Sequence, residues 1–182
     1  RVKFGVPAQK RAMVESFISP WLCIGYTGFE FEFPRTDLPG QFHMVGPSLW
    51  DGLPECEAVP PDLRKPVVYF TQGTSVSQIR KEFFRTGLDA LGSLPGSGIV
   101  TIGFAWQPED LGPIPANVRV HRFIPNSKLL PKVDVIVHHG GNSSTLGAVM
   151  AGVPQVVVPF NWDQPDNARR VEDRGLGLVL RR

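Results

Sequence analysis

From residue 67 onward, short apolar runs alternate with segments of helical spacing. Val67–Thr71 is a β-branched and aromatic run between Pro66 and Gly73, which predicts a buried strand. Residues 77–91 then carry Ile79, Phe83, Phe84, Leu88 and Leu91 along one helical face. Further strands are predicted at 98–104, 118–123, 133–138, 155–159 and 178–180, with helices at 144–151 and 165–174. Strands of this length alternating with helices predict an α/β fold built on a doubly wound parallel sheet. Ahead of residue 67 the pattern is weaker. Val14, Phe17 and Ile18 suggest an amphipathic helix within 1–20, stopped by Ser19-Pro20. Residues 22–26 suggest a short buried strand, and 27–61 are loop-like and rich in proline and glycine. The organisation expected is the tail of one domain at 1–45, a linker at 46–62 and a second domain at 63–182.

Composition narrows the function classes. Of 182 residues, 42% are hydrophobic and 20% charged, as in a globular protein. A formal net charge of +2 gives no electrostatic case for nucleic acid or an anionic membrane. No apolar run reaches transmembrane length, which leaves room for peripheral membrane contact only. Two cysteines, Cys23 and Cys56, make a disulfide framework unlikely and suggest a reducing, cytoplasmic setting. The chain opens on Arg1 and stops just after an apolar run, so it reads as part of a longer protein.

In open parallel sheets ligands gather at the carboxyl ends of the strands, and here the polar chemistry sits there. After 67–71 comes Gln72-Gly73-Thr74-Ser75; after 133–138 comes His139-Gly140-Gly141-Asn142-Ser143-Ser144; after 155–159 comes Phe160-Asn161-Trp162-Asp163-Gln164. Gly140 and Gly141 let backbone approach a ligand, and the helix that follows offers free N–H groups and its positive dipole end, an anion site suited to phosphate. Ser143 and Ser144 add hydroxyls, and His139 is expected to add a charge-assisted donor. Asp163 and Gln164 suit vicinal hydroxyls of a sugar. Phosphate beside polyol recognition suggests a nucleotide sugar. A zinc pair at His138-His139 is disfavoured, since adjacent strand residues face opposite ways and no further ligand lies near. His138 reads as a packing or hydrogen-bonding residue. Phe123 fits either a ligand-stacking or a core position, Asn126 either a contact or an exposed cap, and Trp162 either core or sugar pocket.

The stretch RFIPNSKLLPKVDVIVHHGGNSSTLGAVMAGVPQVVVPFNWDQPDNARRVEDRGLGLVL resembles the donor-binding signature of the GT-B glycosyltransferases, the UDP-glucuronosyl/UDP-glucosyltransferase-like family that includes antibiotic, sterol and natural-product enzymes. VVYFTQGTS resembles that family's first strand and phosphate-facing turn, and FEFPRTDLPGQFHMVGPSL its interdomain linker. The resemblance implies Phe123 and Asn126 at the base, and Gly73, Thr74, His139, Gly140, Gly141, Ser143 and Ser144 at the diphosphate. It implies Asp163 and Gln164 at the sugar. Gly147 stands where plant members carry a ribose-binding glutamate. The implied reaction is inverting transfer of a hexose from a nucleotide diphosphate sugar, UDP-hexose foremost, to a hydroxyl of a small or lipidic acceptor. No metal is implied and no catalytic residue is assigned in this chain, because the family's base is a histidine near the start of the N-terminal domain, which also binds the acceptor. A chain without that base is expected to bind donor and not to catalyse. A separate donor-binding subunit and a non-catalytic interaction module are the competing readings.

Overall fold

The computed structural model describes residues 18–52, 56–74 and 80–181. The chain divides into two compact units, Arg1–Ser48 and Leu49–Arg182. The helix expected within 1–20 falls largely outside the described residues. In the first unit β1 (Cys23–Gly25) pairs in parallel with β2 (Phe42–Met44). The second of these strands lies in a stretch read from sequence as loop. Three residues between Pro39-Gly40 and Gly46 are too few to show a period, and main-chain pairing with β1 makes the strand.

The second unit is a six-stranded, all-parallel sheet. Its strands are β3 (Val67–Thr71), β4 (Ser97–Thr101), β5 (Val118–His121), β6 (Val135–His138), β7 (Gln155–Val157) and β8 (Gly177–Val179), in the order β5-β4-β3-β6-β7-β8. The chain winds outward from β3 through β4 to β5, returns to the other side of β3 as β6, and continues through β7 to β8. The reversal between β3 and β6 is the switch point at which such sheets open a crevice.

Helix α1 (Lys81–Gly92) lays Phe83, Phe84, Leu88 and Leu91 against Phe70, Val100 and Ile102. The expected helical stripe is therefore its buried face, while Ile79 lies outside the described residues. A second core gathers Tyr69, Ile99, Ile124, Leu129, Leu130, Ile136 and Ala148, drawn from the strands, α2 (Asn126–Leu129) and α3 (Asn142–Ala151). Each fully buried aliphatic or aromatic side chain contributes about 1.5–3 kcal/mol of transfer free energy. The last helix, α4 (Gln164–Asp173), buries Asn167, Ala168 and Val171.

Pairing register lines up the strand ends. His121, Thr101, Thr71, His138 and Val157 form one row across the sheet. The first four are polar, and they sit directly beneath the loops where the sequence places its chemistry.

Candidate functional site

A cleft of about 240 Å³ opens over the carboxyl ends of β3 and β4. Of the residues singled out from sequence, Gly73, Thr74, Phe123, Asn126, Ser143 and Ser144 line it. Phe123 is half-buried and stacks on Phe104, with ring centroids 6.1 Å apart at 24°. The Arg122 guanidinium lies over the Phe104 ring, 5.4 Å from its centroid. Phe123 is aimed by Glu57, whose Oε1 accepts the N–H groups of Arg122 at 2.7 Å and Phe123 at 3.4 Å, while Oε2 bonds His121 Nδ1 at 2.7 Å. Burial pushes the Glu57 carboxyl up, but His121 and the two N–H donors outweigh it and hold the group below its ordinary pKa. Asp51 accepts both the N–H and the hydroxyl of Ser127, at 2.7 and 2.9 Å, and so fixes the start of α2.

His139 lies beside the cleft rather than in its lining. The residue is only 8% exposed, and its ring occupies the space that side chains at two glycines would need. A Cβ on Gly73 would lie 2.8 Å from its Cε1, and a Cβ on Gly141 2.4 Å from its Nε2. The two glycines thus frame the imidazole between the loop after β3 and the N-terminus of α3. Burial lowers the His139 pKa to about 4, against a smaller upward pull from Asp163. At pH 7 the ring is therefore neutral in the unliganded protein, and its N–H remains a donor for an anionic phosphate oxygen. Its Nδ1 is buried and finds no partner among the described residues.

The first main-chain bond of α3 runs from Thr145 N–H to Gly141 C=O. The N–H groups ahead of it, through Ser144, are left for other partners, at the positive end of the helix dipole. Ser143 is exposed and Ser144 buried. Gly140, at φ +89°, makes the turn into this helix.

His138 turns to the opposite side, its ring nearly perpendicular to that of His139. Gly140 N–H donates to its Nδ1 at 3.1 Å, so Nε2 carries the proton and donates to Gln155 Oε1 at 2.9 Å. Full burial lowers its pKa to about 3. It is a structural histidine.

The loop after β7 brings Asp163 near His139, while the Gln164 side chain turns inward. Gln164 Oε1 accepts the N–H of Phe160 at 2.9 Å and of Asn161 at 3.3 Å, and the residue is 2% exposed. In this structure its amide holds its own loop together. Asp163 is exposed at the start of α4, where Oδ2 accepts from Asn167 Nδ2 at 3.0 Å. The same Asn167 nitrogen donates to Gly140 C=O at 2.9 Å, tying the two loops. Gly147 is buried; a Cβ there would meet Leu130 Cδ1 at 3.0 Å and lie 3.8 Å from Asn126 Nδ2.

The sequence pattern of the erythromycin biosynthesis protein CIII-like C-terminal domain matches residues 85–182, more than half of the chain. The chain belongs to this family of GT-B glycosyltransferase C-terminal domains. It is 34% identical, over its whole length, to 4'-demethylrebeccamycin synthase of Lentzea aerocolonigenes, of which it covers 44%. Among solved structures it is similar to the calicheamicin glycosyltransferase CalG4, with TM-score 0.73, 32% identity, and coverage of 99% of this chain and 44% of that one. It is also similar to the glycosyltransferase VinC in complex with dTDP, with TM-score 0.64, 30% identity, and coverage of 84% and 37%. The chain thus spans less than half the length of these relatives. The resemblance read from the sequence and the α/β doubly wound fold are both borne out.

Within this GT-B domain, sequence reasoning missed Trp50, Asp51, Tyr69, Thr71, Thr101, Phe104 and Arg122 in the cleft lining. Phe104 was legible only as the end of a strand, and Tyr69, Thr71 and Thr101 lie inside strands. Among the described residues no group of His, Cys, Asp and Glu could hold a metal, and no helix is long and apolar enough to cross a membrane.

Proposed function

We propose that this chain is the donor-binding part of an enzyme that transfers a hexose, with inversion, from a nucleoside diphosphate sugar to a hydroxyl of a small or lipidic acceptor. The donor-binding domain is residues 63–182, joined by a linker at 46–62 to the end of an acceptor domain. The observation that carries the reading is the pairing of a stacked-aromatic cleft with an anion site at the α3 N-terminus, meeting where the sheet reverses. The base stacks on Phe123. The diphosphate lies at His139, Ser143 and Ser144, framed by Gly73, Thr74, Gly140 and Gly141. The sugar extends toward Asp163, with Gln164 shaping that loop from beneath.

In the reaction an acceptor oxygen bonds the anomeric carbon as the bond to the diphosphate oxygen breaks, and that oxygen keeps the electron pair. Helix N–H groups and the His139 N–H stabilise the charge that develops there. The base that takes the acceptor proton is not assigned to this chain. The donor nucleotide is a uridine or thymidine diphosphate. With no carboxylate at Gly147 the site lacks a direct partner for a 2'-hydroxyl. The VinC complex with dTDP supports a deoxynucleotide among the ligands.

The test is incubation of the full-length protein with UDP-hexose or dTDP-hexose and a panel of hydroxylated acceptors, followed by mass spectrometry. Release of nucleoside diphosphate with a matching hexose adduct supports the reading. Absence of both binding and turnover with every nucleotide sugar would overturn it.

A further inference from the structure

Strand β5 lies at the edge of the sheet. An edge leaves main-chain groups without a ladder partner, and proteins cover such edges with a loop. Here the cover comes from the segment proposed above as the linker. The N–H of Glu57 donates to Phe123 C=O at 3.0 Å. Its Oε1 accepts the N–H groups of Arg122 at 2.7 Å and Phe123 at 3.4 Å, and its Oε2 accepts from His121 Nδ1 at 2.7 Å. An ionised carboxylate can only accept, so the direction of each of these bonds is settled. Four residues after Phe123, Asp51 repeats the device. Its Oδ2 accepts the Ser127 N–H at 2.7 Å and its Oδ1 the Ser127 hydroxyl at 2.9 Å.

Two carboxylates from one short segment therefore hold the loop 121–127 at both ends, while Ile124, 1% exposed, pins its middle in the core. The segment is itself anchored, since Val59 packs against the same core. Between the held points stand Phe123 and Asn126, both in the cleft lining. Glu57 is not part of that lining, so it reaches a ligand only through the loop. Its side chain is 42% exposed and adds little apolar burial; what it supplies is a fixed main chain under Phe123. A ring that must lie flat on a base gains from a main chain ordered before the ligand arrives, because ordering it on binding costs affinity.

We propose that Glu57 is a positioning residue for the donor nucleoside, an inference that rests on the donor-binding reading above: it fixes the main chain at 121–123 so that the Phe123 ring meets the base. Calorimetry on the full-length protein, using UDP, dTDP and inorganic pyrophosphate as probes, tests it. Glu57→Ala should weaken UDP and dTDP by about five- to thirtyfold, the cost of ordering about one residue's backbone on binding, and leave pyrophosphate unchanged. Glu57→Gln keeps an oxygen for the two N–H groups and should retain most of the affinity. In a Phe123→Ala background Glu57→Ala should add little, because the ring through which it acts is gone. Should Glu57→Ala fail to fold, Glu57→Asp, a methylene shorter with the same charge, takes its place in each comparison. Wild-type nucleotide affinity, an equal loss for pyrophosphate, a Glu57→Gln loss as large as that of the truncation, or the same added loss with and without the Phe123 ring would each overturn the proposal. If the wild-type protein binds neither nucleotide, the donor-binding reading fails and takes this inference with it.

Discussion

Gly141→Ala is the sharpest perturbation the geometry offers. Gly141 has φ −64° and ψ 146°, a conformation any residue adopts, so an alanine there carries no backbone strain. The effect is purely one of space. Its Cβ would stand 2.4 Å from His139 Nε2, where ordinary contact starts at 3.4 Å. The ring must therefore retreat by about 1 Å, enough to carry a hydrogen bond of normal length out of range. A hydrogen bond to a charged group is worth about 1.5–3 kcal/mol, so nucleoside diphosphate affinity should fall about 10- to 150-fold. Calorimetric titration with UDP and dTDP measures this, with thermal unfolding as the control for an intact fold. The mechanism predicts a second result. In a His139→Ala background the ring is absent, alanine at 141 meets no obstacle, and the further change should stay within about 0.5 kcal/mol. Wild-type affinity for Gly141→Ala, or the same loss with and without the His139 ring, would refute the reasoning.

Three further outcomes follow from the same geometry. His138 and His139 have pKa values of about 3 and about 4 in the folded chain, against an ordinary 6.5. The unfolded state therefore binds more protons between pH 6.5 and 4, and stability should be lost as pH falls through that window, by about 1.4 kcal/mol per pH unit for each ring. Urea unfolding at pH 7, 6 and 5 measures it, and His139→Gln should remove one ring's share; a slope that the substitution leaves unchanged would exclude His139 as a source. Asp163→Ala should weaken nucleotide-sugar binding and leave the free nucleoside diphosphate nearly untouched, and equal losses for both would move Asp163 out of the sugar site. Wild-type discrimination between UDP and dTDP should be less than about tenfold, and Gly147→Glu, whose side chain starts beside Asn126, should tilt it toward UDP; an unchanged ratio in competition binding would show that this face of α3 does not reach the ribose.

The sheet was legible because its strands are short β-branched runs closed by glycine and proline, as at Val67–Thr71, and because α1 repeats its apolar residues at helical spacing. The anion site was legible because glycines, hydroxyls and a histidine crowd the start of one helix. What escaped the sequence depends on contacts between distant residues. Tyr69, Thr71 and Thr101 look like ordinary strand residues until parallel pairing sets β3 beside β4 and joins their hydroxyls across 30 or more positions. Glu57 looks like a linker carboxylate, yet it aims Phe123. Asn167 looks like a helix-surface amide, yet it ties Gly140 to Asp163. The low pKa of His139 was not legible for the same reason, since burial is a property of the assembled loops and not of the motif.

The central claim is that the crevice between β3 and β6 holds the diphosphate of a sugar donor at the start of α3. A crystal structure of the full-length protein with bound UDP or dTDP tests it most directly. The account predicts the phosphates within hydrogen-bond distance of His139 and the main-chain N–H groups of Ser143 and Ser144, with the base against Phe123. A nucleotide bound elsewhere, or one whose phosphates leave His139 and the α3 N-terminus untouched, would contradict it.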